Sequence, residues 1–130
     1  RNVIHPDQFH WLDTTNYPLV SGDSSNPFTP RIHDYGSVYV FDWDNDTGNA
    51  HTSLTINNIP TSTIYKEDDD PRDGMTVTLI FIQDSAGLNT VTFGSNYVLN
   101  GWSVDTTADA ISIAQFYVYQ TSTGYKFIKL

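Results

Sequence analysis

Short strands punctuated by sharp turns fill the chain from Gly74 to Leu130, and that rhythm leaves few folds open. Met75–Gln83, Thr90–Phe93, Ile111–Gln120 and Tyr125–Leu130 are rich in β-branched and aromatic residues, which suit a pleated, half-buried surface. Between them lie Asp84–Leu88, Asn100-Gly101 and Ser122–Gly124, whose Gly and Asn residues tolerate the backbone of tight turns. Upstream, Ser37–Trp43 and Thr52–Ile56 read as a strand and its return around the polar turn Asn45–Asn49. This spacing predicts an all-β fold over residues 37–130, an antiparallel β-sandwich of jelly-roll-like form.

Residues 1–36 differ. Pro6, Pro18, Pro27 and Pro30 break them up, and their apolar residues (Phe9, Trp11, Leu12, Tyr17, Phe28) stand apart from one another. Such a segment cannot build its own core. It reads as an N-terminal arm or stalk end, anchored by Trp11 and Phe28, that lies on the domain's own sheet or on another chain.

Several strands are apolar on both faces. Met75, Val77, Leu79 and Phe81 share one face, while Ile80 and Ile82 make the other apolar; Tyr125 and Phe127 oppose Ile128 and Leu130. Two-sided strands need cover on both sides, so a neighbouring copy or the arm is expected over the second face. In Ile111–Gln120 the apolar phase slips between Ile113 and Phe116, which a β-bulge near Ala114-Gln115 would explain.

Composition narrows the function. Fifteen acids against six Lys and Arg give a net charge of −9. Nucleic acids and anionic membrane surfaces both call for clustered cations, so no nucleic-acid partner is expected. No apolar run approaches the roughly 20 residues of a spanning helix, so no membrane insertion is expected either. There are no cysteines.

The chemical motifs are thin. Asp42, Asp44 and Asp46 alternate as calcium ligands do, but Gly48 falls one position late for a calcium loop and Ser53 stands where the closing Glu belongs. A polar hairpin with three solvent-facing aspartates is the stronger reading, and no cofactor is otherwise expected. The acidic run Glu67–Asp70 reads as a solvated loop. Ser24 and the four histidines draw a hydrolytic triad on paper, but the strand–elbow–helix context is missing. His5, Asp7 and His10 lack a second ligand cluster for zinc. The chain therefore reads as a binding or building module, not an enzyme. Among its aromatic residues, Trp43, Trp102 and Tyr97 are the candidate ligand-binding rings, because sugars are gripped by a flat ring face beside hydrogen-bonding groups.

The order of motifs from Ser37 onward resembles small β-sandwich domains of bacteriophage tail fibres, spikes and related virion appendages. The residues that carry the resemblance are Leu54–Asn57, Gly74 with Leu79 and Gln83-Asp84, then Gly87, Val91–Phe93 and Tyr97, and finally Thr107-Ala108, Ile113, Phe116 and Gly124-Tyr125. Phe93 stands where Trp is common, the Thr61–Asp73 loop is long, and residues 1–36 match no part of the pattern. The resemblance implies a non-catalytic virion protein, a homotrimer that contacts other virion proteins and takes part in host attachment, with a cell-surface saccharide as receptor. Two other readings stay open: a capsid decoration or baseplate protein without a receptor, and a carbohydrate-binding module of a secreted protein.

Overall fold

The computed structural model describes residues 10–13, 19, 22–23, 25–32, 37–60 and 74–130. Among these described residues, eight strands form two sheets. They are β1 (His10–Asp13), β2 (Ser37–Asp42), β3 (Ser53–Ile56), β4 (Thr76–Ile82), β5 (Thr90–Phe93), β6 (Tyr97–Val98), β7 (Ile111–Thr121) and β8 (Gly124–Lys129). The larger sheet has the order β1-β2-β4-β7-β8-β6, and β3 and β5 make the smaller one. Phe28 extends the smaller sheet through a bridge to Ile56. The all-β reading holds, and β2, β3, β4, β5, β7 and β8 fall within a residue or so of the segments read from the sequence. β6 has no counterpart among them, and β1 lies in the stretch read as an irregular arm yet pairs with β2 as an edge strand of the larger sheet.

The pairing is mixed rather than antiparallel throughout. β1, β2 and β4 run parallel, β3 and β5 run parallel, and β6 runs parallel to β8; only β4–β7 and β7–β8 are antiparallel. The connections explain this. From β2 to β6 the chain alternates between the sheets, so each strand returns in the opposite layer and same-sheet neighbours point the same way. The expected hairpin of Ser37–Trp43 with Thr52–Ile56 is therefore corrected: β2 pairs with β4, and β3 with β5. The Ser122–Gly124 turn does close a hairpin, with Thr121 opposite Gly124.

The core lies between the layers. Tyr39 and Phe41 from β2, Leu79 and Phe81 from β4, and Phe116 and Phe127 from β7 and β8 face Leu54 and Ile56 across the gap, all fully buried. Phe41 stacks on Phe81 at 5.3 Å, and Phe28 meets Tyr39 and Phe41 edge-on, the arrangement that ring quadrupoles favour. Leu19 and Ile32 are buried in the same core, so these arm residues, with Phe28, pack on the domain itself. Tyr39 donates its hydroxyl hydrogen to the Arg31 carbonyl and accepts the Arg31 N–H. Its burial pushes the phenol up to about 12.

No bulge interrupts β7. Its register against β4 runs unbroken from Tyr117 opposite Thr76 to Ile111 opposite Ile82. Strict alternation buries Ser112, Ala114, Phe116 and Val118 and turns Ile111, Ile113, Tyr117 and Tyr119 outward. The phase slip was two apolar faces read as one.

Candidate functional site

Five strands of the larger sheet (β1, β2, β4, β6 and β8) point the same way, and β7 opposes them. β1 therefore starts at one end of the sandwich. The segments after β2 and β4, and the one joining β6 to β7, all gather at the other end. That loop end is the candidate site.

The loop after β4 is held by polar side chains. Gln83 sits on the same parity as Val77, Leu79 and Phe81 and is buried with them. Its Nε2 donates to the carbonyls of Asn89, at 2.8 Å, and Asp105, at 3.1 Å. Its Oε1 accepts from the Asn89 backbone and side-chain amides. One buried amide thus ties the start of the loop, its end and the facing loop. Asp84 Oδ1 accepts from Ala86 and Gly87, closing an Asx turn. Gly87 then passes so close to the facing loop that a Cβ would lie 2.6 Å from the Thr106 carbonyl.

Leu88 follows with φ 65°, a left-handed conformation that is a rarity for a bulky side chain. Its N–H donates to the Thr106 carbonyl, and its side chain stands 78% exposed. The facing loop is braced alike: Asp105 N–H donates to Ser112 Oγ, Thr107 N–H donates to Asp105 Oδ1, and Asp109 N–H donates to the Asp84 carbonyl. The Thr107 hydrogen bonds hold the Asp105 carboxyl below its ordinary range.

The loop after β2 is a pair of short 3-10 turns, Trp43–Asn45 and Thr47–Asn49. The first rotates Trp43 inward, where it is buried, lies 6.1 Å from Phe81 and donates from Nε1 to the His51 carbonyl. Asp42 accepts the Asp44 N–H. Asp46 is buried and accepts from His51 twice, from the backbone N–H at 2.8 Å and from ring Nδ1 at 2.7 Å. The other ring nitrogen of His51 lies 3.9 Å from Asp23.

Several site readings change on this geometry. Trp43 and Tyr97 are buried, the latter donating its hydroxyl to the Asn57 carbonyl, so neither offers a ring face to a sugar. Burial also raises the Tyr97 phenol well above the usual range. Trp102 is half-buried on Phe81 and Phe93 at the loop end and keeps an open edge. Asp42, Asp44 and Asp46 do not converge: the first caps a turn, the second is exposed and the third faces His51. Among the described residues no three His, Asp or Glu side chains gather in metal-holding geometry. His5, Asp7, Ser24, His33 and Glu67–Asp70 lie outside the described residues. The Gln83 brace and the Leu88 tip were not anticipated, though Gln83 carried a signal, a polar side chain in a buried slot of an alternating strand.

The loop end is thus rigid, rich in hydrogen-bond acceptors and negative. Asp44, Asp84, Asp105 and Asp109 line it, whereas Lys129 of β8 lies level with Phe116 and Val77, away from it. A family model described as "Putative phage tail fibre C-terminal domain" matches residues 28–124. The chain belongs to that family. It is a tail fibre domain, and its place is the virion. No curated protein and no solved structure matches it.

Proposed function

We propose that this tail fibre domain is the attachment module of its fibre, working as a homotrimer whose loop end contacts a saccharide on the host surface. It acts by binding and not by turnover. One observation carries the reading: the first strand enters at one end of the sandwich, and the braced acidic loops cluster at the opposite end, so a fibre joined at β1 holds those loops away from itself. A braced loop suits recognition because little conformational freedom remains to be lost on binding. The chemistry suits a sugar. Asp109 and Asp105 are exposed acceptors for hydroxyl groups, and Trp102 and Leu88 add apolar surface at the same end.

The test is binding of labelled domain to host cells and to their isolated surface polysaccharide. Wild type should bind both. Leu88→Asp and Asp109→Lys should each weaken binding about tenfold or more, the loss expected when a central contact is removed. Equal binding by wild type and both variants, or cell binding that survives stripping of the polysaccharide, would sink the reading.

A further inference from the structure

The larger sheet has a second face that the function above does not use. Along β7 that face carries Ile111 and Ile113, 64% and 56% exposed, and Tyr117 and Tyr119, 38% and 51% exposed. The register sets Ile113 beside Ile80 and Ile111 beside Ile82, so four isoleucines form one block across two strands. β8 continues it, with Ile128 opposite Tyr117. From strand spacing and rise, the part spanning β2, β4, β7 and β8 covers about 300 Å². An apolar patch of that order is the size of the largest on a typical monomer, and such patches are often functional.

Charge says what can sit there. The chain carries −9 overall, so two copies repel at most approaches. The outward positions of β4, β7 and β8 hold Thr76, Thr78, Gln115, Thr121 and the apolar residues just named, with Lys126 at the β8 flank, and no carboxylate. The carboxylate beside them is Asp42 of β2, opposite Ile82 at the rim and turned to accept the Asp44 N–H. The acids lie instead at the loop end, at right angles to this face. A copy of the same chain can therefore approach over β4, β7 and β8 without bringing carboxylates together, with Asp42 left at the rim. A strongly cationic partner would find nothing to pair with.

We infer that the outward face of β4 and β7 is the surface on which a second copy of this chain packs. The copies turn their isoleucine blocks toward a shared axis and leave the loop ends free at one pole. This rests on the homotrimeric reading above and adds to it the surface that makes the contact.

Light scattering on the purified 130-residue chain tests both, separably. Wild type should elute as a multiple of the 14.6 kDa chain. Ile111→Lys with Ile113→Lys should shift it to 14.6 kDa, weakening association about 100-fold or more. Leu88→Lys, more exposed than either isoleucine but off the face, should leave the assembly intact. Ile113→Thr with Tyr119→Thr is the second variant, since threonine keeps strand propensity; it too should lower the mass while the near-ultraviolet dichroism of the core aromatics stays unchanged. A folded Lys or Thr double variant that still assembles overturns this face and leaves the oligomer standing. A wild type that is already 14.6 kDa overturns the oligomer, and the inference with it.

Discussion

The interior of the sandwich and its loop end are equally ordered by opposite means. Between the sheets, order comes from apolar burial: Phe41, Phe81 and Trp43 stack in a row, and Phe93, Tyr97, Phe116 and Phe127 close a second group of rings. At the loop end, order comes from side chains bonded to backbone, with Gln83, Asp84 and Asp105 each satisfying amides or carbonyls two or more residues away. The difference matters for function. Apolar burial would hide the loops from a ligand, whereas polar bracing fixes them and leaves their outer surface open.

The sharpest way to break that contrast is to remove one ring from the interior. Phe81 is fully buried against Phe41, Trp43 and Trp102. Phe81→Ala should cost about 3–5 kcal/mol, the transfer term plus the cavity, read as a lower urea midpoint. Because Trp102 rests on Phe81, the loop end should loosen as well. A loss below about 1 kcal/mol would show that the rings are not packed as described.

Strand positions were legible because alternation and turn residues mark where a strand begins and ends. Pairing was not. Loops of a few residues are compatible with a hairpin or with a crossing to the other layer, and here β2 to β6 cross each time. The candidate rings were misread for a local reason. Flanking Asp42 and Asp44 suggest an exposed turn, but a 3-10 turn rotates about 120° per residue, so Trp43 faces inward between two outward aspartates. Tyr97 sits in a two-residue strand, too short to show a parity. The Ile111–Tyr119 stripe defeated the reading differently, because alternation is visible only where one face is polar.

Two buried phenols make the interior respond to pH. Tyr39 is raised to about 12 from an ordinary value of 10.0 by burial. A phenol harder to ionise in the folded state adds stability that is whole below pH 10 and drains away as pH climbs through 12. At 1.36 kcal/mol per unit the loss is about 2–3 kcal/mol. Tyr97 shifts in the same direction, also through burial, and adds to the slope. Tyr39→Phe should start from lower stability, having lost the Arg31 bonds, and show a visibly flatter decline of melting temperature between pH 10 and 12. An identical slope in the variant would mean that the phenol already meets solvent.

The loop end gives the smallest effect and the finest comparison, between two glycines of similar backbone. Gly87 has φ 67° and Gly101 has φ 83°, so each loses about 1 kcal/mol when alanine must adopt the left-handed region. Only Gly87 is crowded: a Cβ there would meet Thr106 O at 2.6 Å and the Ala108 nitrogen at 2.8 Å, whereas nothing lies within 4 Å of that position on Gly101. Both neighbours of Gly87 are backbone, pinned through Leu88, Asp105 and Asp109, and cannot step aside singly. Gly87→Ala should therefore cost roughly 1–2 kcal/mol more than Gly101→Ala, measured on the same denaturant scale. It should also push the Leu88 tip out of place and weaken cell binding, while Gly101→Ala leaves it near wild type. Equal costs at the two positions would show that the facing loops yield freely, and polar bracing would no longer account for the order of this end.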